Sequence, residues 1–161
     1  MAESDPFALA HRAAAALAQR TGVDCHDVVI VLGSGWADAA DGLGEVVADV
    51  EMADLPGFPV PTVEGHRNLA RSVRVGEMAA LILGGRAHLY EGHPVDTVVH
   101  GVRTAVVAGC RTAVLTNAAG GLNPDWPVGQ PVVIADHLNL TGASPMVGPA
   151  PPDGQATRFV D

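Results

Sequence analysis

The chain has 161 residues, enough for one ordinary domain and too few for two. Apolar residues make up 48% and charged ones 17%, which excludes a disordered chain because enough apolar surface is present to offset the ordering entropy. The net charge is −9 and all 9 cations are arginine, so no basic stripe invites nucleic acid and an anionic ligand has to be caught by a local site.

The apolar runs, such as Val28 to Leu32, are far shorter than the roughly 18 residues a membrane span needs. Met1 to Asp5 is acidic where a secretory signal would be basic, and a cytoplasmic protein is expected. Cys25 and Cys110 are far apart in sequence and form no C-x-x-C. They read as inert thiols in a reducing compartment, without a disulfide framework or a zinc site.

Asp5 before Pro6 is a helix start, and Phe7, Ala10, Ala14 and Leu17 continue at helical spacing until Gly22 stops them. Val28 to Leu32 is an unbroken apolar run, expected as a strand buried on both faces. Gly33-Ser34-Gly35 breaks it, and a short helix is expected from Trp36 to Ala40. Val46 to Val50 reads as a strand, and Asp54 to His66, rich in Gly and Pro, as a long loop. Asn68 to Val75 and Met78 to Leu83 form a predicted hairpin turning at Gly76-Glu77. A polar loop follows from Gly84 to His93. Pro94 opens a second helix with Val95, Val98, Val99, Val102 and Val106 on one face and Gly109 as its stop. Ala113 to Thr116 is expected as a buried strand and Val132 to Ala135 as another. Strands alternating with helices predict an α/β sheet protein. Residues 1–161 are expected to be a single domain, incomplete at its C-terminal side, because a Pro/Gly-rich stretch after Thr141 leads toward an element that does not follow.

Three loops carry candidate chemistry. Gly33-Ser34-Gly35, between a strand and a helix, can point backbone N–H groups and the Ser34 hydroxyl at an anion, although such a turn is more often only a turn. It is not a dinucleotide fingerprint, since Asp38 stands at the third glycine position. Nor is it a nucleophile elbow, since Leu32 and Trp36 replace the outer glycines of G-x-S-x-G. In the second loop, alternation puts Arg86, His88 and Tyr90 on one side if the chain stays extended. A guanidinium fork and an imidazole suit phosphate, Tyr90 suits a sugar, and Glu91 can orient His88 and favour its cationic form. A solvated polar loop is the alternative. Holding a metal between His88, Glu91 and His93 is disfavoured because Gly92 and Pro94 deny them helical geometry. In the third loop, Asn117 to Gly121, small residues leave room for a flat ligand at a strand's carboxyl end, or else form a simple turn.

Together, Gly33-Ser34-Gly35, the block Gly85-Arg86-Ala87-His88-Leu89-Tyr90-Glu91-Gly92 and the block Thr116-Asn117-Ala118-Ala119-Gly120-Gly121-Leu122-Asn123-Pro124 resemble the trimeric class of purine nucleoside phosphorylases. Gly65-His66, Asp136 to Leu140 and Arg158-Phe159 extend the resemblance along nearly the whole chain. It implies a phosphorylase/hydrolase-like fold, a mixed β-sheet flanked by helices. The implied activity is phosphorolysis of purine (deoxy)ribonucleosides to free base and pentose 1-phosphate, in purine salvage. Ser34, His66, Arg86, His88 and the Ala118 backbone are implied as phosphate-binding, with His88 and Glu91 catalytic and Tyr90 at the ribose. Ala118 and Ala119 would line the base site, and Phe159 would reach a neighbouring subunit of a homotrimer. No metal or organic cofactor is implied, inorganic phosphate being the co-substrate, and no nucleic-acid or membrane partner. The family's purine-reading glutamate and asparagine come from a later stretch of its sequence, which this chain does not match. Two other readings stay open: a methylthioadenosine phosphorylase, and a phosphate- or nucleoside-binding fragment without turnover.

Overall fold

The structure, a computed structural model, describes residues 5–60, 68–148 and 150–151. Helix α1 spans Pro6–Thr21. The Asp5 carboxylate accepts a hydrogen bond from the Phe7 N–H at 3.0 Å, and Pro6 sits where a missing N–H costs nothing. Gly22, at φ 70°, ends the helix by donating its N–H to the Ala18 carbonyl.

Five strands follow: β1 Val28–Val31, β2 Glu45–Glu51, β3 Leu69–Val75, β4 Met78–Leu83 and β5 Thr112–Leu115. They form one mixed sheet in the order β2-β3-β4-β1-β5. The predicted hairpin is β3 and β4, antiparallel from Ala70↔Leu83 to Val75↔Met78. Strand β1 runs parallel to both neighbours, pairing Val31 with Leu83 on one side and with Leu115 on the other. The carboxyl ends of β4, β1 and β5 therefore lie side by side at one edge.

The faces of the sheet are unequal. One packs Val29, Val31, Leu81 and Leu83 against Ala14 and Leu17 of α1 and Ala105 of α3 (His100–Val107). A fully buried leucine such as Leu17 or Leu81 contributes about 1.5–3 kcal/mol. The other face is thinner, with Leu32, Val73, Ala80 and Ile82 under Ala40 and Leu43, so Val28 and Ile30 are only half-buried. Arg71 ties this layer down through bonds to Asp49 and Asp41, both at 2.7 Å.

Several expectations need correction. The segment after Trp36 is a six-residue 3₁₀ turn, Ala37–Gly42, too short and too poor in apolar residues to dock as an α-helix. The helix after Pro94 is broken at Val99 (φ −94°, ψ 0°) into α2, Val95–Val98, and α3. Adjacent β-branched valines and Gly101 weaken helical geometry there, and Gly101 lets α3 approach β4, since a Cβ would lie 3.0 Å from Leu83 Cδ1. Strand β5 ends at Leu115 and is exposed along its length, because no described element covers this edge strand. Val132 to Ala135 is not a strand: its backbone has no ladder partner among the described residues, and Val133 is 95% exposed.

Candidate functional site

Loops leaving β1, β4 and β5 enclose a cleft of about 500 Å³, a size that suits a small organic ligand. Its apolar wall includes Met52, Phe58 and Val102, and its polar lining includes Ser34, Asn68, Arg86, His88, Thr116 and Asn117. A parallel sheet opens its ligand crevice at this edge, where neighbouring strands deliver loops to one place.

The floor is tightly built. The Gly33 N–H donates to Thr116 Oγ1 at 2.9 Å, and that hydroxyl donates to the Val31 carbonyl at 3.1 Å. Arg86 Nη1 donates to the Thr116 carbonyl at 2.8 Å. A Cβ at Gly33 would run into the Thr116 carbonyl oxygen and stand 2.9 Å from Asn117 Cα, so backbone proximity dictates this glycine. Gly35 turns the chain at φ 82°. The expected helix N-terminus behind the turn is absent, given the 3₁₀ turn there. The polar groups this turn offers the cleft are the Ser34 hydroxyl and the turn's own amides.

Beyond β4 the chain reaches His88, itself extended (φ −126°, ψ 152°), then tightens into a 3₁₀ turn, Leu89–Glu91, stopped by Gly92 at φ 85°. Glu91 Oε2 accepts from the His88 backbone N–H at 2.7 Å and meets His88 Nδ1 at 3.2 Å. An ionised carboxylate only accepts, so Nδ1 carries the proton in this contact. The backbone bond first, and then the imidazole, hold the Glu91 carboxyl below the usual glutamate range. Tyr90 stacks on His88 with ring centroids 4.8 Å apart and planes at 21°, and remains 83% exposed. The 3₁₀ turn, not an extended chain, is what brings Tyr90 over His88.

Ser34, Arg86, His88, Tyr90 and Glu91, up to 57 positions apart in the chain, thus share one cleft. Ala118 and Ala119 follow Asn117 in an exposed stretch outside the lining. His66 and Phe159 lie outside the described residues. Sequence reasoning missed Asn68, whose Oδ1 would stand 3.0 Å from a Cβ at Gly85, and the central place of Thr116. For Thr116 the available signal was a hydroxyl residue closing a strand just before a glycine-rich block. Among the described residues, no three His, Cys, Asp or Glu side chains cluster to hold a metal ion.

The phosphorylase superfamily model matches residues 27–160, a span that takes in all three loops. The chain belongs to the phosphorylase superfamily. It is 54% identical over 151 residues to the purine nucleoside phosphorylase of Cellulomonas sp, a match covering 91% of this chain and 54% of that protein. It is 53% identical over 157 residues to the purine nucleoside phosphorylase of Mycobacterium leprae, covering 98% and 56%. Among solved structures of the superfamily, isoform 2 of purine nucleoside phosphorylase from Schistosoma mansoni, in complex with cytosine and ribose-1-phosphate, superposes with a TM-score of 0.63. That match is at 29% identity and covers 72% of this chain and 40% of the other. The chain spans about half the length of the curated relatives it matches.

Proposed function

We propose that this chain supplies the phosphate and pentose side of a purine nucleoside phosphorylase, cleaving purine (deoxy)ribonucleosides with inorganic phosphate in purine salvage. The observation that carries this reading is the convergence of Ser34, Arg86 and His88 on one cleft at the carboxyl ends of three parallel strands. Arg86 offers a planar fork of N–H donors, Ser34 a hydroxyl and turn amides, and His88 an imidazole backed by Glu91. His66 and the Ala118 backbone complete the phosphate set in this reading, Tyr90 faces the pentose, and Ala118-Ala119 borders the base. Phe159 is assigned to a neighbouring subunit's site in a homotrimer, and the 161 residues act as one domain of a cytoplasmic protein. No helix among the described residues is long and apolar enough to cross a membrane.

The chemistry follows from the charges that develop. Breaking the glycosidic bond builds positive charge on the pentose and negative charge on the departing purine. A phosphate held beneath the ring acts as nucleophile and counter-charge at once, and fixed donors keep it aligned. The reaction needs no metal, and no protein side chain becomes covalently attached.

The test is a chimera in which these residues replace the matching part of the Cellulomonas relative. Phosphate-dependent release of hypoxanthine from inosine is expected. Arg86→Ala should raise the phosphate KM roughly 10- to 100-fold, because a hydrogen bond to a charged group contributes about 1.5–3 kcal/mol. A folded chimera without phosphate-dependent cleavage, or an unchanged phosphate KM, would refute the reading.

A further inference from the structure

Thr116 has every hydrogen-bonding group committed within the cleft floor. Its N–H donates to the Val31 carbonyl at 3.0 Å, and its hydroxyl donates to the same carbonyl while accepting from the Gly33 N–H. Its carbonyl accepts from Arg86 Nη1. One residue at the end of β5 thereby fixes the turn after β1 and the arginine after β4, its partners lying 83 and 30 positions away in the chain. Arg86 has five N–H donors, and a bidentate grip on an oxyanion needs two, so anchoring one of them to Thr116 is compatible with binding.

We propose that Thr116 is a positioning residue: it sets the distance between the Arg86 fork and the Gly33–Ser34–Gly35 turn, and so sets affinity for a tetrahedral oxyanion, without touching the anion. The inference rests on the phosphate reading of the cleft. The hydroxyl locks the end of β5 to the end of β1, which places the carbonyl that holds Arg86. Without it the two donor groups drift apart, and misplacement of the order of 0.5–1 Å is enough to spoil bidentate recognition.

The experiment is calorimetric titration of inorganic phosphate into the full chain and its variants, with thermal midpoints recorded alongside. Thr116→Ser, which keeps the hydroxyl, should bind phosphate within about twofold of the parent. Thr116→Val, which keeps the branched shape, should bind about tenfold more weakly. Leu17→Ala, a core substitution remote from the cleft, should lower the thermal midpoint and leave phosphate affinity unchanged, which separates positioning from general destabilisation. If Thr116→Val does not fold, Thr116→Ala, with space for a water where the hydroxyl stood, makes the same comparison. Arg86→Ala controls the underlying reading. If it weakens binding at least about tenfold while the Thr116 variants bind like the parent, the positioning role is wrong and the phosphate site stands. If Arg86→Ala binds normally, or the parent chain binds no phosphate, the phosphate reading falls and this inference with it. Equal weakening by Thr116→Val and Leu17→Ala also overturns the positioning role.

Discussion

Glu91 holds His88 twice with one oxygen, accepting from its backbone N–H at 2.7 Å and meeting its ring Nδ1 at 3.2 Å. The first bond closes the 3₁₀ turn, and the second points the imidazole while Tyr90 covers its face. Conformation and charge are thus supplied by a single carboxylate.

Glu91→Gln separates the two contributions. A glutamine carbonyl can still accept from the His88 N–H and close the turn. It carries no negative charge, so its contact with His88 Nδ1 loses the strength of a charge-assisted hydrogen bond. Phosphate affinity should fall severalfold while the thermal midpoint stays near that of the parent, as calorimetric titration and thermal unfolding will show. An unchanged affinity would mean that the Glu91 charge does not act on the site through His88.

Gly33→Ala should lower stability by about 1–3 kcal/mol, as overpacking does where neighbours cannot yield. Here the neighbours are the Thr116 and Asn117 backbone. Urea unfolding gives the stability change, and phosphate titration should show weakened binding. An alanine variant matching the parent in both would mean that the end of β5 has room to move.

The chain should lose stability as pH falls below about 6.5, the ordinary histidine value. Burial lowers His26, helped by Arg74 and opposed by Asp27, and burial lowers His100, opposed by its bond to the Pro56 carbonyl and helped by Arg103. Between pH 6.5 and those lowered values the unfolded chain binds more protons than the folded one, so stability rises with pH across this window and is fully regained above it. His26 accounts for part of the slope structurally: Nε2 meets Ser72 Oγ at 2.7 Å, whereas buried Nδ1 has, among the described residues, no partner to receive an added proton. Urea midpoints at pH 7.5, 6.5 and 5.5 check this, and His26→Gln should flatten the slope. A pH-independent midpoint over that range would contradict it.

Expressed alone, the 161 residues should show no measurable inosine phosphorolysis. The cleft holds Ser34, Arg86, His88 and Tyr90, proposed for phosphate and pentose, while Ala118 and Ala119 stand exposed outside it. The described residues beyond them are almost all exposed, so in the proposed reaction a departing purine would meet no packed surface. Val128, Val133, Leu138 and Leu140 are also exposed, and such apolar surface favours self-association. An inosine assay combined with size-exclusion chromatography tests both points. Turnover by a well-behaved trimer would overturn the expectation.

What could be read from sequence was local. The caps of α1, the apolar run of β1 and the β3–β4 hairpin carry their signals within a few residues, and the structure has each of them. The Val132 to Ala135 run carries the same β-branched signal, yet a strand also needs a partner, and the composition of a run does not say whether one is near. The break at Val99 reflects close approach of α3 to the sheet, which helical periodicity does not register. Arg86 and His88 were legible as neighbouring candidates because type and spacing are visible in a loop, and both line the cleft. Thr116 was not, since its importance lies in partners 83 and 30 positions away.

The contacts at the cleft floor have a kinetic meaning. Gly33 and Val31 meet Thr116 across 83 and 85 positions, so the site closes only after β5 has joined β1. Closing a loop of that length costs about 2 kcal/mol more than closing a ten-residue turn, and the cost falls before any anion can be gripped. A chain with α1 and the β3–β4 hairpin formed but β5 undocked would have much of its secondary structure and no anion site. Phosphate should therefore ignore such an intermediate and bind only the chain that has finished folding, which makes the ligand a reporter of the last step of assembly.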